Sequence, residues 1–209
     1  MRRILIKVTR RTVGIVDYGV GNHASVRQTL HAIGHRCRIS SDPAVLAASD
    51  VIFLPGVGAF GAAMEALRNT GLAEFLQERG RAGQPFVGLC LGMQLLADAG
   101  HEYGYNAGLG LIPGEVIRLD QTPCHIGWNA VDAVTADSMF APTDGRAMYF
   151  NHSFVFDTPP DYRALTARID RPFTVGVRRE NLVGLQFHPE KSQEDGRELL
   201  RNVIKGLCG

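Results

Sequence analysis

The first half of this 209-residue chain alternates short, continuously apolar runs with stretches of helical periodicity, and few architectures accept that pattern. Thr12 to Tyr18 (TVGIVDY) reads as a buried strand. Asn22 then caps a helix in which Val26, Leu30 and Ile33 recur at helical spacing until Gly34 stops it. HRCRIS is a second strand, and Asp50 to Gly58 (DVIFLPGVG) a third that ends in a glycine-rich turn. Helical segments over Phe60 to Arg68 and Leu72 to Arg81 follow. The apolar run Pro85 to Leu89 then leads without a gap into CLGMQLLADAG. Strands that are apolar throughout, rather than on alternate residues, belong to a parallel sheet covered on both faces.

The second half changes character. Between Gly110 and Gln186 the segments LIPGEVIRL, CHIGWNAVDAV, AMYFNHSFVF, YRALTAR, FTVGVRR and LVGLQF are strand-like and separated by Pro, Gly and Asp turns. A closing helix, GRELLRNVIKGL, carries Leu199, Leu200, Val203 and Ile204 on one face. No repeat, low-complexity segment or Pro/Gly/Ser linker divides the chain. The expected fold is one α/β domain over residues 12–209: a doubly wound, mostly parallel sheet flanked by helices, with an added β-rich second half.

Composition excludes several roles. A net charge of +1, from 22 Lys+Arg against 21 Asp+Glu, gives no footprint for a polyanion. No apolar run approaches the roughly 20 residues that cross a bilayer. The four cysteines, Cys37, Cys90, Cys124 and Cys208, form no C-x-x-C pair and no Cys/His cluster at zinc spacing. Free thiols in a reducing compartment are expected, with no metal and a cytoplasmic location. Residues 1–11, basic at positions 2, 3, 7, 10 and 11, read as an extension or an upstream start, with an organelle-targeting segment as the alternative.

Open α/β sheets place their chemistry at the carboxyl ends of the strands, which singles out three turns. Gly88-Leu89-Cys90-Leu91-Gly92 lies between an apolar strand and a helix, the setting of a nucleophile elbow with Cys in place of Ser. Its glycines permit a tight turn, and a helix N-terminus there would favour a thiolate at Cys90. A small cysteine packed between sheet and helix is the alternative. In His188-Pro189-Glu190 the proline keeps His188 extended, so residues 188 and 190 point the same way and the carboxylate can orient the imidazole as base plus orienter. An exposed turn is the alternative. Pro55-Gly56-Val57-Gly58 ends the neighbouring strand. With the amide of Leu91 as one oxyanion donor, Val57 is the candidate for the other. A phosphate-cradling loop is the competing reading of this glycine-rich turn, but no G-x-x-x-x-G-K-[ST] is present. Of the other histidines, His152 in an aromatic strand either lines a pocket or packs. The rest are expected at the surface or as satisfied interior groups.

Taken in order, the three turns resemble those of the class I glutamine amidotransferases, whose elbow reads G-x-C-x-G and whose base and orienter come as H-P-E. Gly88 to Leu96, Gly127-Trp128-Asn129, Tyr149 to Ser153 and Gln186 to Ser192 are similar, more narrowly, to the glutaminase subunits of imidazole glycerol phosphate synthase. The resemblance runs from about Val13 to the C-terminus. It implies that Cys90 attacks the glutamine side-chain amide to form a γ-glutamyl thioester, with His188 as base and acid and Glu190 as its orienting carboxylate. Gln94 and Glu102 would read the α-amino group, and Gly58, Ser153 and Phe154 would line the substrate. Asn22, Trp128, Tyr149 and Lys191 would face a partner. Capping, core packing or a solvated charge would account for these four otherwise. The extension, His23 in place of an apolar residue and Phe154 in place of tyrosine depart from the family pattern.

The resemblance implies no cofactor but does imply a second protein. Free ammonia is protonated and lost in neutral water, and one amidotransferase domain leaves no room for an acceptor site. The implied partner is a (β/α)8 cyclase that receives ammonia through a sheltered channel and makes imidazole glycerol phosphate and aminoimidazole carboxamide ribotide in histidine biosynthesis. Weak glutaminase activity until the partner binds its own ligand is implied as well. The alternatives are the glutaminase of a pyridoxal phosphate synthase, that of a sugar-aminating paralogue, and a stand-alone cysteine hydrolase.

Overall fold

The computed structural model describes residues 9–134 and 136–209. The basic residues Arg2, Arg3 and Lys7 lie outside the described residues. Arg11, by contrast, is anchored: its guanidinium donates to the Cys208 carbonyl at 2.6 Å and its own carbonyl accepts from the Arg36 amide at 2.9 Å.

The expected alternation is present. Strand β1 (Thr12–Val16), helix α1 (His23–Ala32), β2 (Arg36–Ser40), α2 (Pro43–Ala47), β3 (Val51–Gly56), α3 (Phe60–Asn69), α4 (Leu72–Arg81), β4 (Phe86–Cys90) and α5 (Leu91–Gln94) follow in order. Helix α2 has no counterpart in the sequence reading. Five residues are too few for a periodic signal, and it forms because Asp42 caps it, accepting from the Ala44 amide at 2.8 Å, with Pro43 in its first turn. Asn22 stands at the start of α1 but makes no side-chain capping bond, only a backbone one from the Val26 amide at 3.2 Å.

In the second half lie β5 (Ala99–Gly100), β6 (Asn106–Ala107), β7 (Glu115–Arg118), β8 (His125–Ala133), β9 (Arg146–His152), β10 (Phe154–Asp157), β11 (Arg163–Arg168), β12 (Pro172–Arg179), β13 (Leu182–Leu185) and α6 (Gln193–Cys208). The run AMYFNHSFVF is not one strand. It breaks at Ser153, and its two parts enter different sheets.

The larger sheet has nine strands in the order β2-β1-β3-β4-β13-β12-β11-β8-β9. The pairs from β2 to β13 are parallel, and those from β13 onward are antiparallel. The β-rich half therefore extends the doubly wound half rather than forming a separate layer. A four-stranded sheet, β10-β7-β5-β6, stands beside it.

In β3, Val51 and Phe53 join one core with α1 and α6, whereas Ile52 and Leu54 join another with α3 and α4. Alternate residues face opposite sides of a strand, so a strand covered on both faces must be apolar throughout. Burying each such side chain contributes roughly 1.5–3 kcal/mol.

The topology positions the site. β3, β4 and β13 are parallel neighbours, with Gly56 opposite Cys90 and Leu185 opposite Leu89, so the turns after all three converge at one edge. Contact is so close there that a Cβ on Gly92 would lie 1.8 Å from the Leu54 carbonyl oxygen. No side chain larger than hydrogen fits.

Candidate active site

Cys90 ends β4 with φ 54 and ψ −113, a left-handed conformation that a non-glycine residue rarely adopts. The elbow glycines supply close approach, while the backbone strain, on the order of 1–3 kcal/mol, falls on Cys90 itself. The helix behind it, α5, is a single turn of four residues. So short a helix offers little macrodipole to Cys90, and the polar groups that face the sulfur come from neighbouring segments.

His188 is the chief of these. It leaves β13 in extended conformation, and its amide donates to the Tyr149 carbonyl at 2.8 Å. Glu190 sits in a 3-10 turn, Pro189–Lys191, rather than in extended chain, yet the i, i+2 placement holds: Nδ1 of His188 is 2.8 Å from Oε1 of Glu190. Both side chains are buried, at 5% and 2% exposure. Among the described residues the other carboxylate oxygen of Glu190 is buried without a hydrogen-bond partner, so the carboxylate leans on the imidazole.

Burial by itself opposes the imidazolium form of His188. Hydrogen bonds to Cys90 and Glu190, together with their negative charges, outweigh it and raise the His188 pKa from 6.5 to about 9. With Nδ1 committed to Glu190, the remaining ring nitrogen serves the sulfur. Because the folded value lies above the ordinary one, the stability this pairing adds is complete below about pH 6.5 and is lost as the pH rises through about 9. NMR titration of the His188 ring is expected to show its pKa fall when Cys90 is replaced by alanine. An unchanged value would mean that the cysteine does not contribute.

These groups open on a cavity of about 280 Å³, the size for a small ligand. Val57, Gly58 and Leu91 line it together with Gln94, Glu102, Ser153 and Phe154, and Cys90 and His188 open on it. Val57 is 44% exposed, and Gly58 has φ +93, which favours glycine. The hydroxyl of buried Tyr18 donates to the Pro55 carbonyl at 3.1 Å and so steadies the loop from beneath. Burial and the charge on Cys90 raise the Tyr18 pKa above its usual value.

Glu102 accepts from the Phe60 amide at 2.8 Å, which pins its carboxylate to the first turn of α3 while it faces the cavity. Gln94 is buried and donates through Nε2 to the Phe154 carbonyl at 3.1 Å and to Oε1 of Gln186 at 2.9 Å. Its own oxygen is left to accept from a ligand.

Sequence reasoning missed three contributors, Asn151, His125 and Gln186, and left His152 open between lining a pocket and packing, where it lines the cavity. Asn151 offers its carbonyl 3.9 Å from the Cys90 sulfur. His125 and His152 form a buried pair with a 3.0 Å ring contact, and Nδ1 of His152 lies 2.9 Å from the Phe154 carbonyl. Burial holds both rings neutral, with His152 lowered to about 4. Gln186 is fully buried beside the sulfur. A polar residue closing the apolar run LVGLQF was the available signal. Elsewhere, His101 pairs with Glu115 at 2.8 Å on the surface.

The candidate partner-facing residues form a continuous surface. Trp128, 51% exposed on β8, meets Tyr149 on β9 edge-to-face at 6.0 Å. The Lys191 ammonium lies 5.6 Å from the centre of the Tyr149 ring, which is itself 6.5 Å from His188. Half-buried Asn22 begins α1, which packs on the turn that holds Lys191. Among the described residues no helix is long and apolar enough to cross a membrane, and no cluster of His, Cys, Asp and Glu could hold a metal.

Comparisons with known proteins place this arrangement. A family model described as "Glutamine amidotransferase class-I" matches residues 14–206. The protein named imidazole glycerol phosphate synthase subunit HisH from Symbiobacterium thermophilum is 45% identical over 199 residues, covering 93% of each chain. That of Streptococcus gordonii is 42% identical over 190 residues, covering 89% of this chain and 92% of its own. Among solved structures, PurLQS from Thermotoga maritima shares the fold with a TM-score of 0.77 at 19% identity, over 95% of this chain and 100% of the other. A Cys-His-Glu line at adjacent strand ends, in a chain matched almost end to end, leaves one assignment: the chain belongs to the class I glutamine amidotransferases, in the HisH family of imidazole glycerol phosphate synthase subunits.

Proposed function

We propose that this chain hydrolyses L-glutamine through Cys90, His188 and Glu190 and delivers the ammonia to a separate (β/α)8 cyclase that makes imidazole glycerol phosphate. The observation that carries the reading is the distribution of groups along one cavity. Cys90 and His188, the latter bonded to Glu190 behind it, share one lining with Gln94, Glu102, Ser153 and Phe154, the groups that would receive an α-amino and an α-carboxylate group.

The Cys90 thiolate attacks the side-chain amide carbon, and the resulting oxyanion takes hydrogen bonds from the Leu91 and Val57 amides. As the tetrahedral adduct collapses, the His188 imidazolium gives its proton to the leaving nitrogen, releasing ammonia and a γ-glutamyl thioester. His188, now neutral, removes a proton from water. The hydroxide attacks the thioester and glutamate leaves, which restores the thiolate and imidazolium. Each proton taken is returned, so the cycle needs no cofactor.

The partner reading rests on the aromatic surface. Trp128 and Ile126 are 51% and 61% exposed on one face of β8, and Trp128 joins Tyr149 and Lys191 in a patch that reaches His188. A protein seated there would cover the site and receive ammonia before it meets water. Glutaminase activity waits on the partner's ligand if the Pro55–Gly58 loop must first turn the Val57 amide inward, since one missing oxyanion donor costs about 10² to 10³ in rate.

Titration with a purified cyclase subunit tests both parts in one experiment. Trp128 is the sole tryptophan, so its emission reports the surface directly. The expected result is a saturable change in emission, with glutamine hydrolysis rising when the cyclase ligand is added. Equal hydrolysis with and without ligand-loaded partner would remove the gating. Hydrolysis of peptides or esters by the chain alone would favour a stand-alone cysteine hydrolase.

A further inference from the structure

Gln186 follows β13 with no exposed surface, an amide placed within an otherwise apolar run. Its oxygen accepts from Nε2 of Gln94 at 2.9 Å, and its nitrogen lies 3.8 Å from the Cys90 sulfur, within hydrogen-bond reach of that larger atom.

Shape alone does not orient an amide, because its oxygen and nitrogen are nearly interchangeable. One backbone group decides the matter here. The Phe154 carbonyl can only accept, and it stands 3.1 Å from the Gln94 side-chain nitrogen. Gln94 therefore turns its NH2 toward both Phe154 and Gln186. Gln186 must answer with its oxygen, which leaves its NH2 aimed at the sulfur.

We propose that Gln186 is a further catalytic residue of the glutaminase reaction, donating a hydrogen bond from Nε2 to the Cys90 thiolate, with its polarity set by Gln94. The proposal rests on the function given above and adds a residue to that same site. Several other polar groups face the sulfur: His188, backed by Glu190, from the segment after β13, Tyr18 from the segment after β1, and the Asn151 carbonyl from β9 at 3.9 Å. Gln186 differs from His188 in kind. The imidazolium must surrender its proton to the leaving ammonia, whereas an amide N–H does not titrate and stays a donor throughout. It also links recognition to attack, since Gln94 presents NH2 to Gln186 only while its oxygen faces the ligand.

Gln186→Met keeps the volume and deletes the donor. In the complex with the cyclase, it is expected to lower kcat for glutamine roughly tenfold to hundredfold, the worth of one hydrogen bond to a charged group. KM is expected to change by less than about threefold, because Gln94 keeps its hold on Phe154. Alkylation of Cys90 by iodoacetamide, which needs no substrate, is expected to slow by a similar factor to kcat. Gln186→Glu, which places a carboxylate beside the sulfur, is expected to slow both more than the methionine does. Melting temperature and co-elution with the cyclase confirm that each variant is folded.

If both rates for the methionine variant stay within about twofold of the parent, or if KM rises with kcat and alkylation unchanged, the proposal fails and Gln186 acts only as packing for Gln94. The glutaminase reading fails separately, if the parent complex alkylates at Cys90 but does not hydrolyse glutamine. The proposed catalytic role falls with it.

Discussion

Replacing Cys90 with alanine is expected to abolish glutamine-dependent synthesis by the complex, with a loss of about 10⁴-fold or more, the scale seen when a nucleophile that acts as part of a unit is removed. Synthesis from high concentrations of ammonium salts is expected to persist, because free ammonia bypasses the thioester and enters the cyclase site directly. The change removes one sulfur atom from a side chain that is 8% exposed and leaves the backbone strain at φ 54 in place, so the fold is expected to tolerate it. Parallel assays with glutamine and with ammonium chloride separate the two routes. Loss of both would show that Cys90 serves the fold or the interface, and would overturn its assignment as nucleophile.

The base and its orienter are expected to differ in size of effect. His188→Ala removes the group that both carries the proton and pairs with the sulfur, and is expected to cost about 10³-fold or more in kcat. Glu190→Gln should cost less, on the order of 10²-fold, because an amide oxygen can still accept from Nδ1 at the place now held by Oε1, 2.8 Å away. The loss is not negligible, for two reasons. The negative charge that helps hold His188 near 9 disappears, and the amide NH2 enters a buried position where Oε2 now has no partner. A pH profile of kcat/KM reports this directly. The limb assigned to His188 is expected to move to lower pH in Glu190→Gln, toward its ordinary 6.5. An unmoved limb, or a loss as large as that of His188→Ala, would refute the orienting role.

Much of the site was legible in the residues because its chemistry is local in sequence. The elbow needs glycines at fixed distances from the cysteine, and the approach of Gly92 to the Leu54 carbonyl shows why. His188 and Glu190 are two residues apart, and although the same-side rule for extended chain does not describe the 3-10 turn the segment adopts, residues this close in sequence still meet at 2.8 Å. The parallel half of the sheet was equally plain. β3 packs both of its faces in apolar cores and leaves no polar position to confuse the pattern.

What failed to show lies in non-local contacts. Residues 147–156 look like one strand because Tyr149, Phe150, Phe154, Val155 and Phe156, aromatic or β-branched, flank the short polar stretch Asn151–Ser153 with no Gly or Pro to break it. The break at Ser153 arises because β9 pairs with β8 in one sheet and β10 with β7 in another. Trp128 and Tyr149 are 21 positions apart in sequence yet stand opposite each other by register. Gln186 was visible only as part of a motif, without a role. Its oxygen and nitrogen acquire different duties solely because the Phe154 carbonyl orients Gln94.

The sequence by itself determined the α/β class and the three turns that carry the chemistry, and its resemblance to the class I glutamine amidotransferases singled out Cys90, His188 and Glu190 within them, since each motif spans only a few residues. Only the tertiary structure decided how those turns meet. Three parallel strands, β3, β4 and β13, end side by side, and β9 closes over them with Tyr149 and Asn151. That convergence depends on which strand pairs with which, a choice set by packing across nine strands that no local pattern encodes.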